Sequence, residues 1–259
     1  MLERFREAKH DEIARLIQAE AEDTLPPVWP GPRPALGEAI CAARRQGRSA
    51  IIAEYKRSSP SQGPLRTDHS AQEVCSCYAQ AGACGLSILT EERYFGGRLE
   101  FLDAAADLGL PMLRKDFIFH PLQVDATAAT RASAVLLIVR LLDDATLNAC
   151  LAQATHRGLE AVVEVFDHED LARAHEMGAQ IIQVNARDLA TLTVDLERSL
   201  RLAQGKAQGQ IWIAASGITC REDVLRLEDA GFDAMLVGTH LMRAPDPGEA
   251  LRQLLGGGR

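Results

Sequence analysis

A chain of 259 residues, 47% hydrophobic and 25% charged, suits either two modest domains or one barrel-sized domain, since (β/α)8 barrels run to about 250 residues. Its formal net charge of −8, with no long basic run, argues against a general nucleic-acid surface but leaves room for a small anion held by a few local Lys and Arg side chains. No apolar run approaches the ~18 residues of a bilayer span, and the charged, amphipathic start lacks the apolar centre of a secretory signal, so a cytoplasmic protein without membrane partners is expected.

Residues 1 to about 23 carry Leu2, Phe5, Ile13, Leu16 and Ile17 at roughly helical spacing, which predicts a helix. The run LPPVWPGPRP (25–34) breaks it with five prolines and a glycine. Residues 1–48 thus read as an N-terminal helical extension packed outside the main body. From about residue 49, short apolar runs alternate with helical patterns. The runs are 50–56, 85–90, 111–117, 134–142, 160–166, 181–185, 211–216 and 234–239. They start roughly 20 to 35 residues apart, the spacing of strand–helix–strand units. Helical patterns fill the gaps, among them 70–83, 143–158, 167–179 and 221–231, and several run to a glycine as helix C-termini prefer. The six cysteines are scattered; only Cys75 and Cys77 are close, with no second pair or nearby His to complete a zinc set, so free thiols and no metal are expected.

Near-continuous apolar strands separated by helices imply a parallel sheet covered on both faces. Eight repeats favour a closed (β/α)8 TIM barrel, formed by the whole chain 1–259 as one domain, over an open doubly wound sheet. No G-x-G-x-x-G follows the first strand.

In such a barrel the active site lies at the C-terminal ends of the strands, and the awkward charges of this chain fall there. Strand alternation puts Glu54 and Lys56 on one side with Ile52, and Lys115 on one side with Leu113 while Arg114 faces away. Glu164 stands near the end of the fifth strand and Asn185 ends the sixth. Each charged pair alone reads equally well as a plain ion pair at a strand end. Four charged residues at three consistent strand ends favour a site. The glycine turns Ser216-Gly217 and Gly238-Thr239 follow the seventh and eighth strands, where barrels often hold a phosphate.

These residues carry a resemblance. AEYKRSSPSQG (53–63), LSILTEERYFGG (86–97), PMLRKDFIFHPLQ (111–123), AVLLIVRLL (134–142), VVEVFD (162–167), VNARDL (184–189), ASGI (215–218) and LVGTHLM (236–242) follow one another as in the indole-3-glycerol-phosphate synthase family. The likeness covers roughly residues 1 to 255 and resembles the stand-alone form; the E-x-K-x-x-S-P-S and L-R-K-D-F runs are its most specific parts. It implies decarboxylating ring closure of 1-(2-carboxyphenylamino)-1-deoxyribulose 5-phosphate to indole-3-glycerol phosphate, carbon dioxide and water, a step of tryptophan biosynthesis. By that resemblance Lys115 is the proton donor to the ketone and Glu164 the base. Lys56 and Glu54 complete the proton network, with Lys56 sharing or exchanging the acid role, and Asn185 orients the substrate. Arg187 suits the anthranilate carboxylate, Phe95 and Phe117 flank the ring, and Ser59, Ser216, Gly217, Gly238 and Thr239 match phosphate-side positions. The resemblance implies a phosphorylated small-molecule substrate, no cofactor, and a monomer or weak homodimer.

The chain departs from the family pattern at Ala215, where a glutamate usually precedes the Ser-Gly turn. Gln183 replaces a small residue and Ala186 a common asparagine. Two competing readings follow: a weakened barrel that only binds a related phosphorylated metabolite, and a barrel isomerase acting on an aminated ribulose phosphate.

Overall fold

The computed structural model describes residues 2–60, 63–188 and 191–257. Ser61 and Gln62 of the loop after the first strand, and Leu189 of the Arg-Asp-Leu run, lie outside them. Eight parallel strands close into a barrel: β1 Ile51–Tyr55, β2 Gly85–Leu89, β3 Met112–Lys115, β4 Ala134–Ile138, β5 Glu160–Val165, β6 Ile181–Asn185, β7 Ile211–Ala215 and β8 Ala234–Val237. Each pairs with its neighbours in sequence, and β1 pairs with β8 to close the ring. All eight expected strands are present, and the (β/α)8 expectation holds. The fourth is shorter than its apolar run: β4 stops at Ile138 and residues 139–141 turn, because Arg140 swings out to ion-pair with Asp167 and Asp170.

The register fixes which side chains face the barrel axis. Glu54 lies beside Ser87, Ser87 beside Leu113, and Leu89 beside Lys115. Ile138 lies beside Glu164, Glu164 beside Gln183, and Asn185 beside Ala215. Because strand side chains alternate with a period of two, this one chain of neighbours points inward all round the ring, with aliphatic layers below and the polar residues at the C-terminal rim.

The surrounding helices start where sequence supplies a cap. Helix α3 (Ala71–Ala81) opens on a Ser70/Glu73 capping box, and α7 (Asp144–His156), α8 (His168–Glu176) and α12 (Pro247–Leu255) open on Asp143, Asp167 and Asp246. The remaining helices are α1 Leu2–Ala21, α2 Leu36–Arg45, α4 Glu92–Phe95, α5 Phe101–Ala105, α6 Pro121–Ala128, α9 Leu196–Leu202, α10 Arg221–Asp229 and α11 Thr239–Arg243.

The N-terminal extension engages both ends of the barrel. Helix α1 docks at the C-terminal rim against β3 and its following loop. Phe5 stacks on Phe117 with ring centroids 4.0 Å apart and meets the Tyr94 ring edge-on at 5.3 Å. Beside this stack Lys9 pairs with Asp116 at 2.6 Å, and Glu12 with the outward-facing Arg114 at 3.0 Å. Helix α2 sits at the opposite end. Its first two free amides, Leu36 and Gly37, donate to the Glu160 carboxylate at the start of β5, and buried Leu36 and Ile40 pack into the core. A carboxylate from a distant strand thus replaces a local cap, which is why this helix has no recognisable start in the sequence.

Candidate functional site

The rim encloses a cavity of about 590 Å³, within the range of small-molecule sites. All thirteen residues singled out by sequence line it: Glu54, Lys56, Ser59, Phe95, Lys115, Phe117, Glu164, Asn185, Arg187, Ser216, Gly217, Gly238 and Thr239. Two ion pairs stand at its base. Lys56 Nζ lies 2.8 Å from Glu54 Oε1, and Lys115 Nζ lies 3.3 Å from Glu164 Oε2. Both carboxylates are almost fully buried, whereas the two ammonium groups keep 12% and 15% of their side-chain surface exposed to the cavity. The lysines are therefore the members of each pair that a ligand meets first.

Burial alone would raise the carboxyl pKa of Glu54, but Lys56 and then Lys115 outweigh it, with hydrogen bonds from Lys56 and Ser87, and hold it below the ordinary carboxylate range. Glu54 is consequently an anchored anion that keeps Lys56 in place. Gly238 explains itself by the same contact: a Cβ there would run into the Glu54 carboxylate and come within 3.0 Å of Lys56 Nζ. Glycine is the residue that lets β8 end against this pair.

Strand β6 and its loop supply the next wall. Asn185 Oδ1 accepts the Arg187 backbone amide at 3.0 Å, and Arg187 Nη1 donates to the Leu192 carbonyl at 3.0 Å. Burial lowers the Arg187 pKa from its usual value, opposed by Glu54. After β7 the chain turns through Ser216 and Gly217, both left-handed at φ 71° and 83°. A non-glycine residue held there costs about 1–3 kcal/mol, and such conformations cluster at functional sites. A Cβ on Gly217 would come within 2.7 Å of Val194. The loop after β1 forms a short antiparallel pair, Ser58–Ser59 with Gly63–Pro64, where sequence predicted only a loop. Ser59 Oγ is buried there and meets no hydrogen-bond partner among the described residues.

The aromatic wall consists of Phe95 and Phe117, 6.1 Å apart and tilted by 55°, with Phe5 stacked behind Phe117. Phe95 is held through Glu91, whose buried carboxylate accepts the amides of Arg93, Tyr94 and Phe95. Among the lining residues that sequence reading overlooked are Phe5, Glu91, His240 and Arg243. Arg243 was findable, because it stands four positions after Thr239 on one face of α11. Glu91 and Phe5 were not, since each acts through contacts with no local signature.

Two buried acid–base pairs at the C-terminal rim of a (β/α)8 barrel define an enzyme of proton-transfer chemistry. A family model described as indole-3-glycerol phosphate synthase matches residues 3–254, and the chain belongs to that family. A relative of that name from Carboxydothermus hydrogenoformans is 38% identical, with 98% of this chain and 96% of the relative covered. One from Parafrankia sp. is 43% identical over 88% of this chain and 84% of its own. Among solved structures, a 3-hexulose-6-phosphate synthase superposes with a TM-score of 0.62 at 17% identity, covering 80% of this chain and 99% of its own. A thiamine phosphate pyrophosphorylase from Pyrococcus furiosus gives 0.60 at 16%, covering 80% and 93%. Identities this low establish the barrel fold alone.

Proposed function

We propose that this cavity performs the family reaction, indole-3-glycerol phosphate synthesis, with Lys115 as principal acid and Glu164 as base. Decarboxylating carbon–carbon lyase activity on a phosphorylated small molecule is the activity of the family to which the chain belongs. The observation that carries the residue assignment is the Lys115–Glu164 pair at 3.3 Å, set beside a second pair and under two phenyl rings in one cavity.

The chemistry asks for these groups in sequence. A ring carbon of the anthranilate attacks the ketone, whose oxygen takes a proton from the Lys115 ammonium as the new C–C bond forms. The carboxylate then leaves as carbon dioxide, and its electron pair restores the aromatic ring. In the last step the hydroxyl departs as water with a proton from a lysine, while Glu164 takes up the proton released as the second ring double bond forms. Lys56, steadied by Glu54, is the second acid available for that departure. Substrate equals indole-3-glycerol phosphate plus carbon dioxide and water, so the atoms balance without an external cofactor.

Arg187 offers the fork-shaped donor that a carboxylate accepts, and Asn185 steadies it through the bond to its backbone amide. Phe95 and Phe117 flank the ring. Ser59, Ser216, Gly217, Gly238 and Thr239 form the phosphate side, where the Ser59 hydroxyl, without a partner among the described residues, supplies one donor. Indole fluorescence after addition of the carboxyphenylamino-deoxyribulose phosphate tests the reading. Turnover that disappears in Lys115→Met and in Glu164→Gln supports it; binding without turnover in the unaltered protein would instead mark a binding-only barrel. We also assign the whole chain to one cytoplasmic domain working as a monomer or weak homodimer, which light scattering of the purified protein decides.

A further inference from the structure

Gln183 lies one layer beneath the cavity floor, and its amide touches the proposed base. It is fully buried on β6, directly beside Glu164 of β5 in register. Its Nε2 donates to Glu164 Oε2, the same oxygen that Lys115 Nζ approaches at 3.3 Å from the cavity side. Its own Oε1 is buried and has no hydrogen-bond partner among the described residues. The inward neighbours at and below this level, Val162, Ile181 and Ile213, are aliphatic. An orphaned buried carbonyl is costly, and Leu or Met would fill the same space without that cost. An amide in this place therefore calls for a reason other than packing.

The reason lies in what an amide offers that no other side chain of this size does. It is neutral at every working pH, so it binds a carboxylate without competing for its proton, unlike a lysine. It also carries a donor and an acceptor at one end. Facing the Glu164 carboxylate it donates through Nε2. Once Glu164 has gained the substrate's proton and become a carboxylic acid, a half-turn of the amide brings Oε1 round to accept the new O–H. The partnerless oxygen of the ionised state is then the acceptor of the protonated one. Gln183 itself neither gains nor loses a proton in this cycle.

We propose that Gln183 is a positioning residue for Glu164, one that follows the carboxyl group through both protonation states and holds its oxygen against Lys115. The proposal rests on the assignment of Glu164 as base. Lys115 on β3 is the charged partner of that carboxyl; Gln183 is the neutral one.

The test is steady-state kinetics of Gln183→Met, which keeps volume and removes donor and acceptor, with Glu164→Gln alongside. The expected result for Gln183→Met is a kcat lowered about tenfold or more with KM within about threefold. The loss falls on kcat and not on KM because the amide touches the carboxyl group and no part of the substrate space. A structural role would lower the melting temperature without this selective loss of kcat. Gln183→Met with an unchanged kcat, beside an inactive Glu164→Gln, overturns the positioning role while sparing the base. A Glu164→Gln variant as fast as the unaltered enzyme overturns both. Should the methionine variant not fold, Gln183→Ala is measured in its place against the same two outcomes.

Discussion

Replacing Ala215 by glutamate puts a third inward carboxylate on the cavity wall. Ala215 is 3% exposed on β7, between Asn185 of β6 and Leu236 of β8, and its side chain borders the substrate space. A carboxylate there accepts hydrogen bonds from the ribulose hydroxyls. Charge-assisted bonds of this kind contribute about 1.5–3 kcal/mol, or about ten- to a hundredfold in kcat/KM. Opposing this, repulsion from Glu54 would amount to about 3 kcal/mol if the two carboxylates stood ~6 Å apart at an effective dielectric constant of ~20. Glu54 is paired with Lys56 at 2.8 Å, however, so the new charge faces a dipole and most of the repulsion cancels. What remains is partial desolvation of the carboxylate, which takes back roughly one power of ten. The expected net result for Ala215→Glu is a gain of up to about tenfold in kcat/KM, carried mainly by a lower KM. Indole fluorescence at several substrate concentrations measures both parameters. A tenfold or greater fall in kcat/KM, with the melting temperature unchanged, would refute this reasoning and show a site rebuilt around alanine.

Lys115→Met is expected to cost at least a hundredfold in kcat while leaving substrate affinity within about tenfold, since the lost group acts mainly in the transition state; retention of more than a tenth of kcat removes it from the acid role. Sulfate or inorganic phosphate is expected to raise the melting temperature by occupying the turn at Gly217 and Gly238, and Gly238→Ala, which drives a methyl against Glu54 and Lys56, should abolish that shift; equal shifts in both proteins would place the anion elsewhere. Asp116 gives a pH dependence. Burial pushes its carboxyl upward, but Arg114 and Lys9 outweigh that and hold it below its usual 3.8. A depressed carboxyl contributes stability that is full above the unfolded value and is lost as pH falls through the folded one. Asp116→Asn should therefore lower stability at pH 7, by about 3–5 kcal/mol if the buried cations are left unmatched, and flatten the loss of stability below about pH 4. Parallel acid-unfolding curves for the two proteins would contradict it.

Strand order, the barrel and the rim were legible because each rests on a local pattern. Alternation along β3 tells Lys115 from Arg114, and position at a strand end tells rim from floor. Contacts between segments far apart in sequence were not legible. Helix α2 begins where Glu160, more than a hundred residues later, accepts its first amides, and no residue near position 36 announces this. Phe5 looked like one more apolar residue on an amphipathic helix, yet it backs the aromatic wall because α1 reaches the rim rather than the barrel's side. Ser58–Ser59 and Gly63–Pro64 pair as strands too short for any periodicity to register. Gln183 could be noticed as an oddity, an amide where aliphatic packing was due. Its partner followed only from the register that sets it beside Glu164.

The same register shows why so much buried charge gathers at one strand end. Lys115 points into the cavity, while its neighbours Arg114 and Asp116 carry a network that α1 completes through Lys9 and Glu12. Asp116 also accepts the Phe117 amide at 2.8 Å and the Thr90 hydroxyl at 2.6 Å, tying the aromatic wall and the end of β2 to the same carboxylate. A buried network of this kind adds little net stability over a hydrophobic one, so its value here lies in geometry. Three consecutive residues fix the Lys115 ammonium, the Phe117 ring beyond it and the helix that backs that ring. A shift in any outer ion pair is then transmitted to Lys115 through at most two covalently linked residues. In the proposed mechanism, proton transfer to the ketone depends on placement to within a fraction of an ångström. On this argument Lys9→Met, which touches no substrate, slows the chemical step more than it weakens binding.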